Sequence, residues 1–547
     1  MSDAFIVLSH LSFSWPDDTP VFHDLSFTVG GGRTGLVAPN GSGKSTLLKL
    51  IAGELRPAAG TASVQGTAGY LPQSLPLSGD LTVAEVLEIA PVIRALDAIE
   101  SGDTGEEHFA TIGDDWDIEE RTRAQLDRLG LGDIPLDRRL RTLSGGQAVS
   151  LGLAAQLLKR PDVLLLDEPT NNLDLDARHR LYTVLEEWHG CLLLVSHDRA
   201  LLDRMDRITE LDRGEVRSYG GNFTAYQNAV RAARETAEKN IRTAEQEVKR
   251  EKREMRQARE RAARRAGNAA RNLNSAGLPK IFAGTMKRNA QESAGRSNET
   301  HAARVGEAKA RLDEAERSLR DEQRIVLELP DTQVPAGRTV FLGEGMRVGF
   351  GERDLFAGPG ADLVVRGPER IALTGPNGAG KSSLLRVISG ELEPRAGQVK
   401  RAAGRIAHLS QRLDLLDPDR GVAENLAAFA PALPEPERLN LLARFLFRGS
   451  RVHLPVGALS GGERLRATLA CVLCAEPAPQ LLLLDEPTNN LDLVSVGQLE
   501  SALNAYRGAF VVVSHDERFL AEIKVERWLR LSDGRLLETG APTAERG

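Results

Sequence analysis

The sequence has few cysteines, few aromatic residues and no long hydrophobic run. Cys191, Cys471 and Cys474 are too few, and odd in number, for a disulfide framework, which favours a reducing compartment. Cys471 and Cys474 form a C-x-x-C pair, but no second pair exists to complete a zinc site, so we expect buried small side chains. No apolar stretch approaches the ~18 residues of a membrane span, and the first ten residues lack the pattern of a signal peptide. We therefore expect a cytoplasmic protein; if it serves a membrane, another chain must supply the spans.

The chain as a whole also lacks an excess of positive charge, although one segment has it. The net charge is −7 over 547 residues, which excludes a uniformly basic nucleic-acid binder, and the length predicts more than one domain. Between residues 249 and 288, thirteen basic side chains are opposed by three glutamates, so this segment carries +10 and the remainder carries −17.

An internal repeat organises the sequence. PDVLLLDEPTNNLD at 161–174 recurs as LLLLDEPTNNLD at 481–492. A leucine run that ends in Asp-Glu is typical of a buried strand in a parallel sheet, which delivers two carboxylates to a ligand site at its carboxyl end. One such run could be plain core, but two copies with the same tail indicate function. The aspartates can hold magnesium and the glutamates can orient and deprotonate water; they are Asp167 and Asp485, and Glu168 and Glu486.

Each half also has a glycine-rich turn between an apolar strand and a helix-like segment, which is the context of a P-loop. Backbone N–H groups of such a loop close around phosphate oxygens, and the helix N-terminus adds its positive end. The lysine is expected to reach the β- and γ-phosphates, and the serine after it to ligate magnesium. Alanine replaces the opening glycine of the first loop; because that position need not have a positive φ, we still expect ATP binding. The two loops comprise Ala38, Pro39, Asn40, Gly41, Ser42, Gly43, Lys44, Ser45 and Thr46, and Gly375, Pro376, Asn377, Gly378, Ala379, Gly380, Lys381, Ser382 and Ser383.

Four weaker signals recur in both halves. Aromatic residues upstream of the P-loops can stack on an adenine or belong to the core; they are Trp15 and Phe350. A glutamine follows a short strand in each half, where it is often a surface residue; these are Gln73 and Gln411. A serine and two glycines open a helix, as a phosphate cradle or as an ordinary N-cap; they are Ser144, Gly145 and Gly146, and Ser460, Gly461 and Gly462. His197 and His515 follow apolar strands, where α/β proteins bind ligands.

P-loop, Gln, LSGGQ, DEPTNNLD and SHD, in this order and twice in one chain, resemble the ATP-binding cassette (ABC) ATPases. The resemblance implies an α/β fold with two P-loop ABC ATPase domains in tandem, at 1–222 and 336–547. It implies head-to-tail pairing with ATP and Mg²⁺ between the domains, the glutamates as general bases and the histidines at the γ-phosphate. The magnesium ligands that it implies are Ser45, Gln73 and Asp167, and Ser382, Gln411 and Asp485. The implied first site combines Lys44, Ser45, Gln73, Asp167, Glu168 and His197 with Ser460 and Gly462. The implied second site combines Lys381, Ser382, Gln411, Asp485, Glu486 and His515 with Ser144 and Gly146.

The segment 223–335 differs in composition from both cassettes. Alanine, arginine, glutamate and glutamine dominate, and apolar residues at heptad-like spacing predict two long helices in an antiparallel hairpin, with a turn near 268–298. A solvated coiled coil usually carries balanced charges, so the basic excess favours nucleic acid. The candidate contacts are Arg261, Arg264, Arg265 and Arg271, and at the tip Leu278, Lys280, Ile281, Phe282, Met286, Lys287 and Arg288.

Two fused cassettes without membrane spans, joined by a basic hairpin, resemble the ABC-F family. This implies ATP-dependent binding to the ribosome, with the linker near rRNA, peptidyl-tRNA and the peptidyl-transferase centre, and release on hydrolysis. It also implies a monomer with intramolecular cassette pairing and no stable membrane partner. Residues 74–142 lack a long insertion like the arm of the housekeeping branch, and the extended tip resembles the antibiotic-resistance branch. The alternatives are a housekeeping ABC-F translation factor, the ATPase subunit of a membrane exporter and a DNA-directed cassette ATPase.

Overall fold

The computed structural model describes residues 4–73, 80–212, 214–275, 300, 302–314, 329, 332–350, 353–356, 360–410 and 413–540, without the side chains of 4, 265–267, 269–275, 350, 353 and 354. The chain divides into two compact units. One comprises Met1–Phe223 with Gln323–Gly547, and the other is Thr224–Glu322. Among the described residues, no helix combines the length and the apolar composition needed to cross a membrane.

The first half of the repeat is an α/β domain. Its strands are β1 (Ala4–Ser14), β2 (Pro20–Gly30), β3 (Gly32–Val37), β4 (Ala59–Val64), β5 (Ala68–Leu71), β6 (Val163–Asp167), β7 (Cys191–Val195), β8 (Arg207–Asp212) and β9 (Glu215–Gly220). Its helices are α1 (Lys44–Ile51), α2 (Val83–Val86), α3 (Ala90–Glu100), α4 (Glu106–Ile112), α5 (Ile118–Arg128), α6 (Gly145–Leu158), α7 (Leu175–Glu186) and α8 (Arg199–Leu202).

The other compact unit is helical. Helix α9 (Phe223–Ser275) extends into the segment 268–298 that was expected to form the turn, because its many alanines and arginines favour helix and a few Gly and Asn residues cost only about 1 kcal/mol each. A second helix, α10, covers residues 302–314. The two helices bury small and β-branched side chains at heptad-like positions, among them Val248, Val305 and Ala308. Arg311 also forms an ion pair with Glu247 at 2.8 Å, which links α10 to α9.

The second half repeats the first. Its strands are β10 (Thr339–Arg347), β11 (Gly349–Phe350), β12 (Arg353–Asp354), β13 (Ala361–Arg366), β14 (Arg370–Thr374), β15 (Ala396–Arg401), β16 (Arg405–Leu409), β17 (Pro479–Asp485), β18 (Ala509–Val513), β19 (Arg527–Ser532) and β20 (Arg535–Thr539). Its helices are α11 (Lys381–Ser389), α12 (Val422–Phe429), α13 (Glu435–Arg444), α14 (Gly461–Leu473), α15 (Leu493–Ala505) and α16 (Glu517–Glu522).

The two main sheets have the same topology. Their orders are β5-β6-β7-β3-β8-β9 and β16-β17-β18-β14-β19-β20, with parallel pairing except for the last, antiparallel strand of each. The leucine runs are central strands: all residues of β6 and β7 are buried. Asp167 is in register with Val195, and Asp485 with Val513, so the Asp-Glu and histidine loops of each half leave the sheet at the same edge. The P-loops follow β3 and β14 at that edge, where parallel sheets bind ligands.

Candidate active site

In each P-loop, the glycine before the lysine has a left-handed backbone conformation and turns the chain into the following helix. Gly43, at φ 90°, precedes α1, and Gly380, at φ 102°, precedes α11. A side chain at Gly43 would be strained by this φ and would also lie 2.5 Å from Val21. The loops therefore need glycine at this place, and the first three residues of each helix line the cavity beside the loop.

The P-loop lysines are buried and held by their own loops. Lys44 Nζ donates to the carbonyl of Ala38 at 2.9 Å, and Lys381 Nζ donates to that of Gly375 at 2.6 Å. Burial lowers the pKa of both lysines, and the charge of the neighbouring glutamate opposes this shift. Each ammonium group is thus already desolvated and fixed where a phosphate oxygen can replace the carbonyl as its partner.

The two histidines lie against these lysines. His197 Nε2 is 2.7 Å from Lys44 Nζ, and His515 Nε2 is 3.3 Å from Lys381 Nζ. Burial, reinforced by the lysine charge, lowers the pKa of each histidine to about 3. Both imidazoles are therefore neutral at physiological pH, and neither adds a charge to the site.

The glutamates at the strand ends have strained backbones; Glu168 is buried and Glu486 is partly buried. Glu168 has φ 51° and Glu486 has φ 46°, a region that non-glycine residues rarely adopt outside functional sites. Burial raises the pKa of Glu168 to about 8 and that of Glu486 to about 7. A carboxyl group with a pKa in this range can accept and return a proton near neutral pH, as a general base requires.

Several buried polar atoms at this edge lack a hydrogen-bond partner within the protein. They are Ser42 Oγ, Asp167 Oδ1, Glu168 Oε1 and both carboxylate oxygens of Glu486. Such orphaned oxygen atoms fit a polar ligand, a magnesium ion and its waters. No cluster of three or more His, Cys, Asp or Glu side chains suited to a metal occurs in the described parts of the chain. Ser45 and Asp167 would accordingly hold magnesium only together with oxygen atoms from nucleotide and water.

Two cavities lie at the junction of the two halves. The first, about 1050 Å³, is lined by the first P-loop, Trp15, Gln73, Asp167, Glu168 and His197, and from the other half by residues 488–491. The second, about 540 Å³, is lined by the second P-loop, Asp485, Glu486 and His515, and by residues 144–146 of the first half. These volumes match the range of about 300–1,000 Å³ that is typical of cofactor sites.

The P-loop asparagines join the two halves by equivalent contacts. Asn40 Nδ2 donates to the carbonyl of Asn490 at 3.0 Å, and Asn377 Nδ2 donates to that of Asn172 at 2.9 Å. The backbone N–H of Asn40 also donates to Asp492 at 3.0 Å. Burial alone would raise the pKa of Asp492, but hydrogen bonds from Ser495 and Asn40 outweigh it, so the pKa is lowered. Each half thus contacts the other's P-loop through the tail of the DEPTNNLD repeat.

Trp15 lies in a cavity, and the serines Ser144 and Ser460 are placed unequally in the two halves. Trp15 is 40% exposed in the first cavity, with its ring 5.2 Å from that of Phe13 in an edge-on contact, so it is not a core residue. Ser144 is both an N-cap, paired with Gln147, and part of the second cavity. Ser460 caps α14 in the same way, but the residues Ser460, Gly461 and Gly462 do not line the first cavity.

Other predicted residues cannot be placed. The side chain of Phe350, and Gln411, lie outside the described residues. In the linker, Arg261 and Arg264 are exposed on α9, whereas the side chains of Arg265 and Arg271 are not described. The tip residues also lie outside the described part of the chain; they are Leu278, Lys280, Ile281, Phe282, Met286, Lys287 and Arg288.

Sequence reasoning missed the residues that join the halves. Asn172 and Asp174, with Asn490 and Asp492, could have been suspected from the identical tails of the repeat. Arg178 could not have been suspected, because the matching position of the repeat is Val496 and no sequence pattern therefore marks Arg178.

Comparisons with known proteins agree with this geometry. The family model described as ABC transporter matches residues 22–171 and 360–489. The chain is 36% identical to the tylosin resistance ATP-binding protein TlrC of Streptomyces fradiae, over 92% of this chain and 93% of that protein. It is 32% identical to the putative ATP-binding protein YdiF of Bacillus subtilis, over 97% of this chain and 80% of that protein.

Among solved structures, the fold is similar to that of RNase-L Inhibitor, with a TM-score of 0.59 and 19% identity over 98% of this chain and 90% of that one. This match extends over both halves and supports the tandem arrangement of the two α/β domains. Together with the duplicated P-loops and Asp-Glu strands, these matches lead to one conclusion: the chain belongs to the ABC ATPases, as a tandem-cassette member of the ABC-F type, and is an ATP-hydrolysing enzyme.

Proposed function

We propose that this chain binds the ribosome in an ATP-dependent manner and protects translation from an antibiotic. The two cavities bind Mg²⁺-ATP, Glu168 and Glu486 activate water, and hydrolysis releases the protein. The basic helical linker contacts rRNA and peptidyl-tRNA near the peptidyl-transferase centre.

The observation that carries this proposal is the exposed basic surface of α9. Arg253, Arg256, Arg261 and Arg264 are all exposed in the segment whose charge is +10. Only part of the positive charge is neutralised within the helix. For example, Arg256 forms an ion pair with Glu260 at 3.3 Å, and both side chains are more than half exposed. Exposed ion pairs of this kind are worth less than about 1 kcal/mol, so a phosphate can displace the glutamate at little cost.

The resistance role is supported by similarity to TlrC, whose name records tylosin resistance and whose length the match covers almost completely. A housekeeping role in translation would use the same ATP chemistry and the same charged linker. The two roles therefore have to be separated by the biological readout, whereas ribosome binding itself can be tested with purified components.

Ribosome binding is tested by co-sedimentation of the Glu168→Gln, Glu486→Gln double variant with and without Mg²⁺-ATP. These substitutions keep the shape of the side chain but remove the base, so we expect pelleting with ribosomes in ATP alone. The matched control is Lys44→Ala, Lys381→Ala, which should not bind ATP and should stay in the supernatant. If the double glutamine variant binds ATP and still does not pellet, the ribosome proposal is wrong, and the membrane fraction is the next place to look.

The linker is tested by charge reversal of Arg253, Arg256, Arg261 and Arg264 to glutamate. Loss of four phosphate contacts should weaken binding and reduce the slope of log affinity against log salt by roughly 0.7–0.9 per contact. The control makes the same charge change outside the basic segment, at exposed helical positions; these are Arg231, Lys239, Arg242 and Lys309. An equal loss in the control would show that general charge, and not this segment, determines binding.

The resistance role is tested in a cell-free translation reaction inhibited by tylosin. Added protein should restore synthesis, and the Lys44→Ala, Lys381→Ala variant should not. If the protein binds ribosomes in ATP but restores synthesis with neither tylosin nor other inhibitors of the peptidyl-transferase region, the housekeeping role stands instead.

A further inference from the structure

One buried arginine at the junction of the cassettes breaks the symmetry between the two sites. Arg178 lies in α7 of the first cassette, is 8% exposed and lines both cavities. The offset that relates Asp167 to Asp485 places Val496 at the matching position of the second cassette. Val496 is also buried and lines the first cavity, but it carries no charge and can donate no hydrogen bond.

The guanidinium of Arg178 is held by two groups of its own cassette. Its Nε donates to the carbonyl of Leu173 at 3.3 Å, and its Nη1 lies 3.4 Å from Asp198 Oδ2. Asp198 is fixed in turn, because the hydroxyl of Tyr182 donates to the same oxygen at 2.6 Å and two N–H groups at the start of α8 donate to its other oxygen. A planar guanidinium anchored in this way has little freedom to change its position.

From this anchored position Arg178 reaches into the other cassette. Its Nη1 donates to the backbone carbonyl of His515 at 3.4 Å. The imidazole of His515 is 3.3 Å from Lys381 Nζ and 3.3 Å from Glu486 Oε1. Arg178 therefore touches the loop that carries the histidine of the second site, whereas the matching contact to the loop of His197 cannot be made by Val496.

Two further ion pairs join the cassettes and, like the contact of Arg178, have no counterpart at the matching positions of the repeat. Arg199 pairs with Glu500 at 2.7 Å, and Arg518 pairs with Asp203 at 2.8 Å. Under the same repeat offset, the positions matching Arg199 and Glu500 carry Glu517 and Tyr182, and those matching Asp203 and Arg518 carry two alanines. The charged contacts between the halves are thus not duplicated with the motifs of the two sites.

We infer that Arg178 is a positioning residue for the second site: by holding the His515 loop from the opposite cassette, it makes hydrolysis there depend on cassette pairing, and the first site works without an equivalent. This inference rests on the proposed assignment of the two cavities as ATP sites. Arg178 is not a catalytic residue, because it acts through the His515 backbone and not on the reacting atoms.

The test measures steady-state ATP hydrolysis by the purified full-length chain with one site silenced at a time. Glu168→Gln leaves the second site active, and Glu486→Gln leaves the first. Adding Arg178→Met, which keeps an unbranched apolar stem but removes the charge and the donors, should lower kcat about 10- to 100-fold in the Glu168→Gln background, as small misplacements of a site commonly do. In the Glu486→Gln background it should change kcat by less than about twofold, because Asp198, which follows His197, keeps its hydrogen bonds from Tyr182 and from the start of α8. KM should move little in either background.

The matched control is Arg180→Met, which removes an arginine from the same helix, beside Gly130 and away from both cavities. It should leave both backgrounds unchanged. Arg178→Lys keeps the charge next to Asp198 but loses the planar fork, so it should restore part of the activity of the second site. The melting temperature of Arg178→Met will show whether that variant folds. If it does not fold, kcat of Arg178→Lys is measured in its place.

An equal fall of kcat in both backgrounds would mean that Arg178 only holds the cassettes together, and the inference would be overturned. An unchanged kcat in both backgrounds would overturn the inference as well, whether it is measured with Arg178→Met or, if that variant does not fold, with Arg178→Lys. The assignment of the cavities is tested separately by the Glu168→Gln, Glu486→Gln double variant without any change at Arg178. If that variant hydrolyses ATP at the wild-type rate, the assignment of the ATP sites fails, whatever Arg178 does.

Discussion

A single methyl group should weaken ATP binding at the first position of the second P-loop but matter little at the first position of the first P-loop. Gly375 has φ 143°, which side chains rarely adopt, whereas its counterpart Ala38 does not have a positive φ. A Cβ atom built on Gly375 would lie 2.1 Å from the carbonyl oxygen of Leu531, a backbone atom of the neighbouring strand β19. The perturbation is therefore Gly375→Ala, with Ala38→Gly as its counterpart in the other cassette.

The size of the effect follows from these contacts. A carbon–oxygen contact is ordinarily about 3.3 Å or longer, so the loop and β19 would have to separate by roughly 1 Å. That movement is resisted because β14 and β19 are paired in register, with Thr374 opposite Arg530. Backbone strain of this kind costs about 1–3 kcal/mol, which corresponds to roughly 5- to 150-fold in binding. Ala38→Gly meets no clash and mainly adds freedom to the unfolded chain, at about 0.5–1 kcal/mol of stability.

The assay is calorimetric titration of Mg²⁺-ATP, with hydrolysis prevented by Glu168→Gln and Glu486→Gln. Lys44→Ala isolates the second site for Gly375→Ala, and Lys381→Ala isolates the first site for Ala38→Gly. We expect Kd to rise at least fivefold in the first case and less than about twofold in the second. Equal affinities with and without the methyl group at 375, in a variant that melts normally, would refute the reasoning from φ and the Leu531 contact.

Four predictions concern buried or partly buried groups outside the P-loops. Burial raises the pKa of the Cys191 thiol to about 11 and also raises that of Cys471, so at pH 8 both should react with a thiol reagent at least about 100-fold more slowly than in the unfolded chain. Because a raised thiol pKa means that the folded state retains protons longer, the contribution of Cys191 to stability should fall as pH rises from about 9 to 11, which pH-dependent denaturation measures. Arg199→Met should destabilise the chain by about 1–3 kcal/mol because it leaves the partly buried Glu500 without its partner. Adding Glu500→Gln should recover part of this loss in thermal melts, and strict additivity would contradict the pairing. Tyr506→Phe should cost about 1–3 kcal/mol because the carbonyl of Pro479 loses its 3.0 Å hydrogen bond, and an unchanged denaturation midpoint would argue against that bond.

Much of the fold could be predicted because its signals are local. The leucine runs and the glycine-lysine turns predicted buried strands and phosphate loops, and β6, β17, α1 and α11 begin or end at those residues. The boundary of α9 was less predictable. Isolated glycine and asparagine residues near its end resembled a turn, but a long helix tolerates them when most of its residues favour helix.

The sequence by itself determined that there are two nucleotide cassettes, which residues form their loops and that a basic helical segment lies between them. These features depend on short spacings, on hydrophobic periodicity and on charge, all of which can be read within one stretch of chain. Only the tertiary structure decided which residues meet across the cassettes: Asn40 with Asn490, Ser144 but not Ser460 at a cavity, and Arg178 with His515. Partners separated by hundreds of residues leave no periodic trace, because the complementarity of two folded surfaces brings them together.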